Sequence, residues 1–194
     1  MTIPFEQHAS EYEASTAAPT LVETSPALCL AITGQGSPGG EEFDGALDAV
    51  MATAHAVAAA CREQGRGFAV GGVEAIWWTD EVEGIDFAAR PRSEWKWKLV
   101  VRVPDFVDAA QVAAAARERG AAAHVALETL TEGRCVQILH TGPFREVYRA
   151  MDSIRRFAGE RGLEIAGRHH EICLTDPRQT ALEEMRTIVR YPVR

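Results

Sequence analysis

The chain has 194 residues, 46% of them hydrophobic and 25% charged, with a formal net charge of −8. That balance belongs to a globular domain and excludes a disordered or collagen-like chain; no apolar run reaches the roughly 18 residues a membrane helix needs. No stretch is basic enough to track phosphates, which disfavours nucleic acid as a partner, and residues 1–26 lack the pattern of an export signal, which points to the cytoplasm.

Residues 1–25 are rich in Glu, Ala, Ser and Thr without apolar periodicity and read as a mobile N-terminal arm. They are too few for a helix-turn-helix domain. Leu28, Leu30 and Ile32 alternate as in a strand. A glycine-rich loop over 34–40 leads into a long apolar stripe at helical spacing, from Phe43 through Leu47, Val50, Ala54 and Val57 to Cys61, which ends near Gly65. A strand is expected over Phe68 to Thr79, kinked at Gly71-Gly72. After an acidic-then-basic loop over 80–94, Trp95, Trp97, Leu99, Val101 and Val103 keep strict period two up to Pro104. An Ala-rich helix is predicted from Asp108 to Arg119. A strand from Val125 to Leu130 then turns at Glu132-Gly133 into a hairpin with Cys135 to His140. Phe144, Val147, Tyr148, Met151, Ile154 and Ala158 make a second helical stripe, closed by Gly162. Strands over His169 to Thr175 and Met185 to Val193 flank a turn at Asp176-Pro177.

This order repeats. Strand–helix–strand–strand occupies 28–103 and again 135–193, and both second strands end in Thr-Asp, at Thr79-Asp80 and Thr175-Asp176. The expected fold is α+β: duplicated β-α-β-β units related by a pseudo-twofold, in a two-layer sandwich spanning 26–194. The sheet face without helices is expected to form a groove between the halves.

Gly34-Gln35-Gly36-Ser37-Pro38-Gly39 fits a dinucleotide fingerprint on paper. Pro38 removes an amide donor, and Glu41 and Glu42 put negative charge where a pyrophosphate would sit, so the stretch reads as a loop. The four cysteines are far apart and read as free thiols. His169, His170, Glu171 and Cys173, with His124 and His140, offer metal-ligand types, but a structural histidine pair is the commoner arrangement, and no metal or other cofactor is expected. Glu171 stands mid-strand among apolar neighbours, on the face opposite Ile172 and Leu174, which read as core under a helix. It therefore points to the groove, where a desolvated carboxylate becomes a cation receptor or a general base. Aligning the repeats on Thr-Asp sets Trp77 on the same side and Trp78 in the core. Trp95 and Trp97 share one face, but parity alone does not say which. Glu74 stands beside them, either supporting the site or capping a sheet edge.

Gly71-Gly72-Val73-Glu74-Ala75-Ile76-Trp77-Trp78, Glu94-Trp95-Lys96-Trp97-Lys98-Leu99, Gln137-Ile138-Leu139-His140-Thr141-Gly142-Pro143-Phe144 and Gly167-Arg168-His169-His170-Glu171-Ile172, with Leu174-Thr175-Asp176-Pro177-Arg178 and Tyr191-Pro192-Val193, resemble blocks of the GyrI-like small-molecule-binding domain family, kin to BmrR-type multidrug-binding effector domains. The resemblance covers about residues 26–194. It implies a ligand groove between the halves and a strand glutamate, at Glu171, that reads cationic lipophilic drugs. Some stand-alone, Trp-rich members are hydrolases of cyclopropane-bearing, DNA-alkylating natural products, in which pocket aromatics hold the flat ligand and a glutamate helps deliver water. Cys173 and Phe144 stand where such members carry Tyr. The expected function is binding of planar, lipophilic, cationic small molecules for detoxification, with Glu171, Trp77, Trp95, Trp97, Phe144, Tyr148, His169 and Glu74 as ligand residues. The alternative is hydrolysis of a cyclopropanoid, with Glu171 as catalytic base. A third class, an interaction module that inhibits a nucleic-acid enzyme, has only the acids of 41–86 in its favour.

Overall fold

The computed structural model describes residues 6–80, 84–118, 125–176 and 179–194. His124, Pro177 and Arg178 lie outside them. Eight strands form one antiparallel sheet: β1 (Thr20–Glu23), β2 (Ala27–Gln35), β3 (Glu74–Trp78), β4 (Lys96–Arg102), β5 (Ala126–Leu130), β6 (Arg134–Thr141), β7 (His169–Cys173) and β8 (Arg186–Pro192). Their order is β1-β6-β8-β7-β3-β4-β2-β5. The middle six are the two repeats back to back, β6-β8-β7 against β3-β4-β2. β1 and β5 each add an edge. Helices α1 (Glu41–Glu63), α2 (Ala109–Glu118) and α3 (Tyr148–Glu160) complete the α+β fold. Among the described residues no helix is long and apolar enough to cross a membrane.

The two repeats use the same local physics. In α1, Glu41, Glu42 and Asp44 favour the positive end of the helix dipole. Both α1 and α3 end in a left-handed glycine, Gly65 and Gly162, each donating to the carbonyl three residues back. The next amide reaches five residues back in both cases, so the last carbonyls are satisfied.

Alternation sorts the sheet into two faces. One carries Leu30, Ile32, Leu99, Val101, Trp77, Trp97, Val136, Ile138, Val189 and Tyr191 into the main core with the helices. α1 packs over β2 and β4, and α3 over β6 and β8. The central strands β3 and β7 lie under the gap between the two helices. Glu171 and Trp77 therefore lie on the helix face, a correction to the expectation that they point to the face without helices. Periodicity shows which residues share a face; it does not show which face receives the helices.

The other face is covered in part by the N-terminal segment, which is ordered and not the mobile arm its composition suggests. A 3-10 helix, Glu6–Tyr12, seats Tyr12 against Leu139, Ile172 and Ile188. β1 then pairs with β6. Ile172 is thus core under this segment and not under a helix. Arg102 lies buried between Glu11 (2.7 Å) and Glu74 (2.9 Å). His170 bridges Glu74 and Glu132, both at 3.0 Å, and Arg190 reaches Glu132 and Gln137. Burial alone would raise the Glu132 carboxyl, but His170 and Arg190 overcome it and hold it down at about 2. The stability Glu132 contributes is then complete above its ordinary value near 4.5 and is lost as pH falls toward 2. Urea unfolding from pH 5 down to pH 3 is expected to show falling stability, with a flatter slope in Glu132→Gln.

The predicted hairpin at Glu132-Gly133 does not form. β5 pairs with β2 at the far edge, and β6 starts in the other half of the sheet. The chain between them crosses the sheet and delivers Glu132 to His170. The strand expected over 68–79 is shorter, Glu74–Trp78. Gly34 explains part of the glycine-rich stretch. A Cβ there would collide with the ring of Trp97, so this glycine is the seat on which that indole lies. Gly34→Ala is expected to lower stability by about 2–3 kcal/mol through overpacking, measurable by thermal unfolding, with a change in tryptophan fluorescence.

Candidate functional site

β3 and β7 pair directly, with Ala75 opposite Glu171 and Trp77 opposite His169. Ala75 and Glu171 are also equivalent positions of the two repeats under the Thr-Asp alignment. The pseudo-twofold therefore passes between them, and Glu171 sits at the centre of the sheet, beside His169 and the Phe87 ring packed on it.

An unbroken run of rings leads to it. Trp97 meets Phe43 edge-on (5.4 Å), Phe43 stacks on Trp77 (5.4 Å, 15°), and Trp77 meets Trp95 (5.8 Å). Trp95 meets Phe87 (5.0 Å), Phe87 lies against His169 (5.2 Å), and His169 against Tyr191 (5.1 Å). Trp77 is only 3% exposed. The indole N–H groups of Trp77 and Trp97 are buried without a hydrogen-bond partner among the described residues, two donors held among apolar rings. Trp95 donates its indole N–H to the Arg90 carbonyl.

His169 links the buried Tyr191 to the partly exposed Glu171. Its Nδ1 is 2.7 Å from the Tyr191 hydroxyl, and its Nε2 is 2.8 Å from Glu171 Oε1. With a neutral imidazole, Tyr191 O–H donates to Nδ1 and Nε2–H donates to the carboxylate. Glu171 is 16% exposed, while His169 is nearly sealed. Glu171 Oε2 has no partner among the described residues. Beside it, burial and then the Glu171 charge push the Cys173 thiol up, so Cys173 stays protonated at neutral pH.

The structure thus gathers Glu171, His169, Trp77, Trp95 and Trp97 on one face. It does not bring Glu74 to them. Glu74 points through the sheet to Arg102, His170 and Tyr12, because strand neighbours alternate and Ala75 faces the groove. Burial would raise its carboxyl, but Arg102, then His170 and Arg190, hold it well below the usual range. Trp78 shares that opposite face, half-buried under Arg168, and is not helix-side core. Phe144 (38%) and Tyr148 (53%) are exposed at the start of α3 and make no ring contact with the run among the described residues. Sequence reasoning missed Phe43, Phe87 and Tyr191 as site residues. Phe43 was visible in the α1 stripe and Tyr191 in β8. Phe87 sits in a 3-10 segment, Gly84–Ala89, with no periodic signal. Among the described residues no group of three or more His, Cys, Asp or Glu could hold a metal; His169 and His170 point to opposite faces.

The sequence pattern of the GyrI-like small molecule binding domain matches residues 17–194. The chain belongs to the GyrI-like family. A GyrI-like domain binds small molecules. No curated protein matches the chain. Among solved structures, an uncharacterized conserved protein from Listeria innocua is similar at 29% identity, TM-score 0.85, over 98% of both chains. A hydrolase from Listeria innocua is similar at 29% identity and TM-score 0.81, over 97% of this chain and 98% of its own. The EcmrR C-terminal domain shares the fold at 10% identity and TM-score 0.62, over 91% of this chain and 96% of its own.

Proposed function

We propose that this GyrI-like protein captures planar, lipophilic, cationic compounds between α1 and α3, as a multidrug-binding or detoxifying protein, and sets their charge against Glu171. The observation that supports the reading is the Glu171 carboxylate itself. One oxygen is held by His169, whose ring meets Phe87 and Tyr191, and the other has no partner among the described residues. A delocalised cation lying there gains ring contact and an ion pair in a partly dry environment. The test is titration with rhodamine 6G, read through tryptophan fluorescence. Saturable one-to-one quenching is expected, and its absence up to the dye's solubility limit would sink the reading.

A second reading is hydrolysis. It is favoured by the Tyr191–His169–Glu171 chain and by the likeness to a hydrolase of Listeria innocua over nearly the whole length. On a spiro-cyclopropane conjugated to a dienone, the oxygen of water bonds to the cyclopropane methylene. The bond to the spiro carbon breaks, and its electron pair enters the dienone to leave a phenolate. The proton of the attacking water passes to Glu171, with His169 holding the carboxylate in place, and the phenolate then takes a proton back. Incubation with a cyclopropanoid, followed by mass spectrometry, is expected to show one added water per molecule over many turnovers. Stoichiometric complex alone would leave binding as the activity.

A further inference from the structure

We propose that the opposite face of the sheet carries a second ligand site, for a small organic carboxylate, centred on Arg168. A cavity of 350 Å³ opens there, lined by Ile76, Leu130, Ala166 and Pro192 with Lys98, Thr131, Glu132 and Arg168. That volume is within the range of small-molecule pockets, about 300–1,000 Å³. Ile76 alternates with Trp77 along β3, so the thickness of the sheet separates this cavity from Glu171.

Its charges can be assigned one by one. The Lys98 ammonium is held by Glu128 at 2.5 Å, so its charge is balanced. The oxygens of Glu132 are engaged by His170 (3.0 Å) and Arg190 (3.3 Å). The Arg168 guanidinium stacks on the Trp78 ring at 3.8 Å and makes no ion pair among the described residues. A guanidinium stacked on an indole keeps its in-plane N–H donors free, in the fork geometry that fits a carboxylate. The uncompensated charge at the cavity is therefore positive, beside an apolar floor.

The backbone that presents Arg168 is fixed. Ala166 donates to the Pro192 carbonyl at 2.9 Å, and Ile165 bridges to Val193. A Cβ on Gly167 would lie 2.5 Å from Pro192, so only glycine lets this segment lie so close on β8. The site is formed before any ligand arrives, which lowers the ordering cost of binding. An aromatic ring or branched alkyl group against Ile76, Leu130 and Pro192, with its carboxylate on Arg168, meets both halves of the cavity.

Three probes of similar size and different charge test this: benzoate, benzamide and benzylammonium, titrated into the isotope-labelled protein. Benzoate is expected to shift the amides of Ile76, Leu130 and Gly167 saturably, and benzamide to bind at least tenfold more weakly. Arg168→Gln, a change at an exposed side chain, should weaken benzoate at least tenfold and leave benzamide as it was. Equal binding of benzoate and benzamide, stronger binding of benzylammonium, or benzoate shifts gathered around Glu171 would each overturn the proposal. Rhodamine 6G titration of the same variant reads the helix-side groove separately, so a failure on one face is distinguished from a failure on the other.

Discussion

Glu171→Gln is expected to weaken a planar cation by about 30-fold, roughly 2 kcal/mol, and to leave a neutral dye of the same shape within about twofold. Gln keeps the size of the side chain, and its amide oxygen can still accept from His169 Nε2. The run from Trp97 to Tyr191 then stays in place, and the substitution removes charge alone. The loss is large because Glu171 sits at 16% exposure, where solvent screens the ion pair less than at the surface. Isothermal titration with both dyes reads the difference. Equal losses for the two would mean that packing had changed, and no loss for the cation would remove Glu171 from the role of receptor. If the protein hydrolyses its ligand, the same variant should lose about 10²–10⁴ in kcat, the usual contribution of a positioned base. Tyr191→Phe separates the two roles. It removes the hydroxyl that faces His169 Nδ1 at 2.7 Å. Cation affinity should hardly change, while the pH profile of turnover should move, because His169 loses the partner that fixes its tautomer.

That Glu171 and Trp77 share a face was legible in the sequence for a physical reason. Thr79-Asp80 and Thr175-Asp176 align the repeats, but that the units join at their second strands, which puts the axis between Ala75 and Glu171, carries no local signal. Period two then placed Trp77 on Glu171's side, and the stripes from Phe43 to Cys61 and from Val147 to Ala158 gave α1 and α3. The choice of face was not legible. Either face of β3 and β7 is consistent with alternation, and the N-terminal segment that covers part of the second one has no periodic signal of its own. It is held by partners distant in sequence: Tyr12 to Glu74 across 62 residues, Glu11 to Arg102 across 91. Glu132-Gly133 has the chemistry of a hairpin turn, and Gly133 does adopt a positive φ of 69°. Local turn chemistry cannot reveal that β5 finds a better partner in β2.

Arg102→Ala is expected to destabilise the fold by about 3–5 kcal/mol, the cost of leaving buried charges without their partner. That is a large part of the roughly 5–15 kcal/mol that holds a domain together. Arg102 ties Glu11 of the N-terminal segment to Glu74 of β3 inside a region closed to water, with its guanidinium 5.2 Å from the Tyr12 ring. Its removal strands two carboxylates at once. His170 and Arg190 compensate Glu74 in part, but among the described residues Glu11 keeps His8 and the Ser25 amide. The loss should depend on pH in a defined direction. In the native protein Arg102 is the largest influence lowering the Glu74 carboxyl, so Glu74 contributes stability above its ordinary value of 4.5 and loses it as pH falls. Without Arg102, burial raises that carboxyl, and protonating it relieves the buried charge. Urea unfolding should therefore show a gap between native protein and variant that is widest at pH 7 and narrows toward pH 4. Arg102→Met with Glu74→Gln, which removes the pair together and refills its volume, should recover more than half of the loss. A gap that is equal at both pH values, or a double variant no better than the single one, would mean that Arg102 acts through packing against Tyr12 and not through charge.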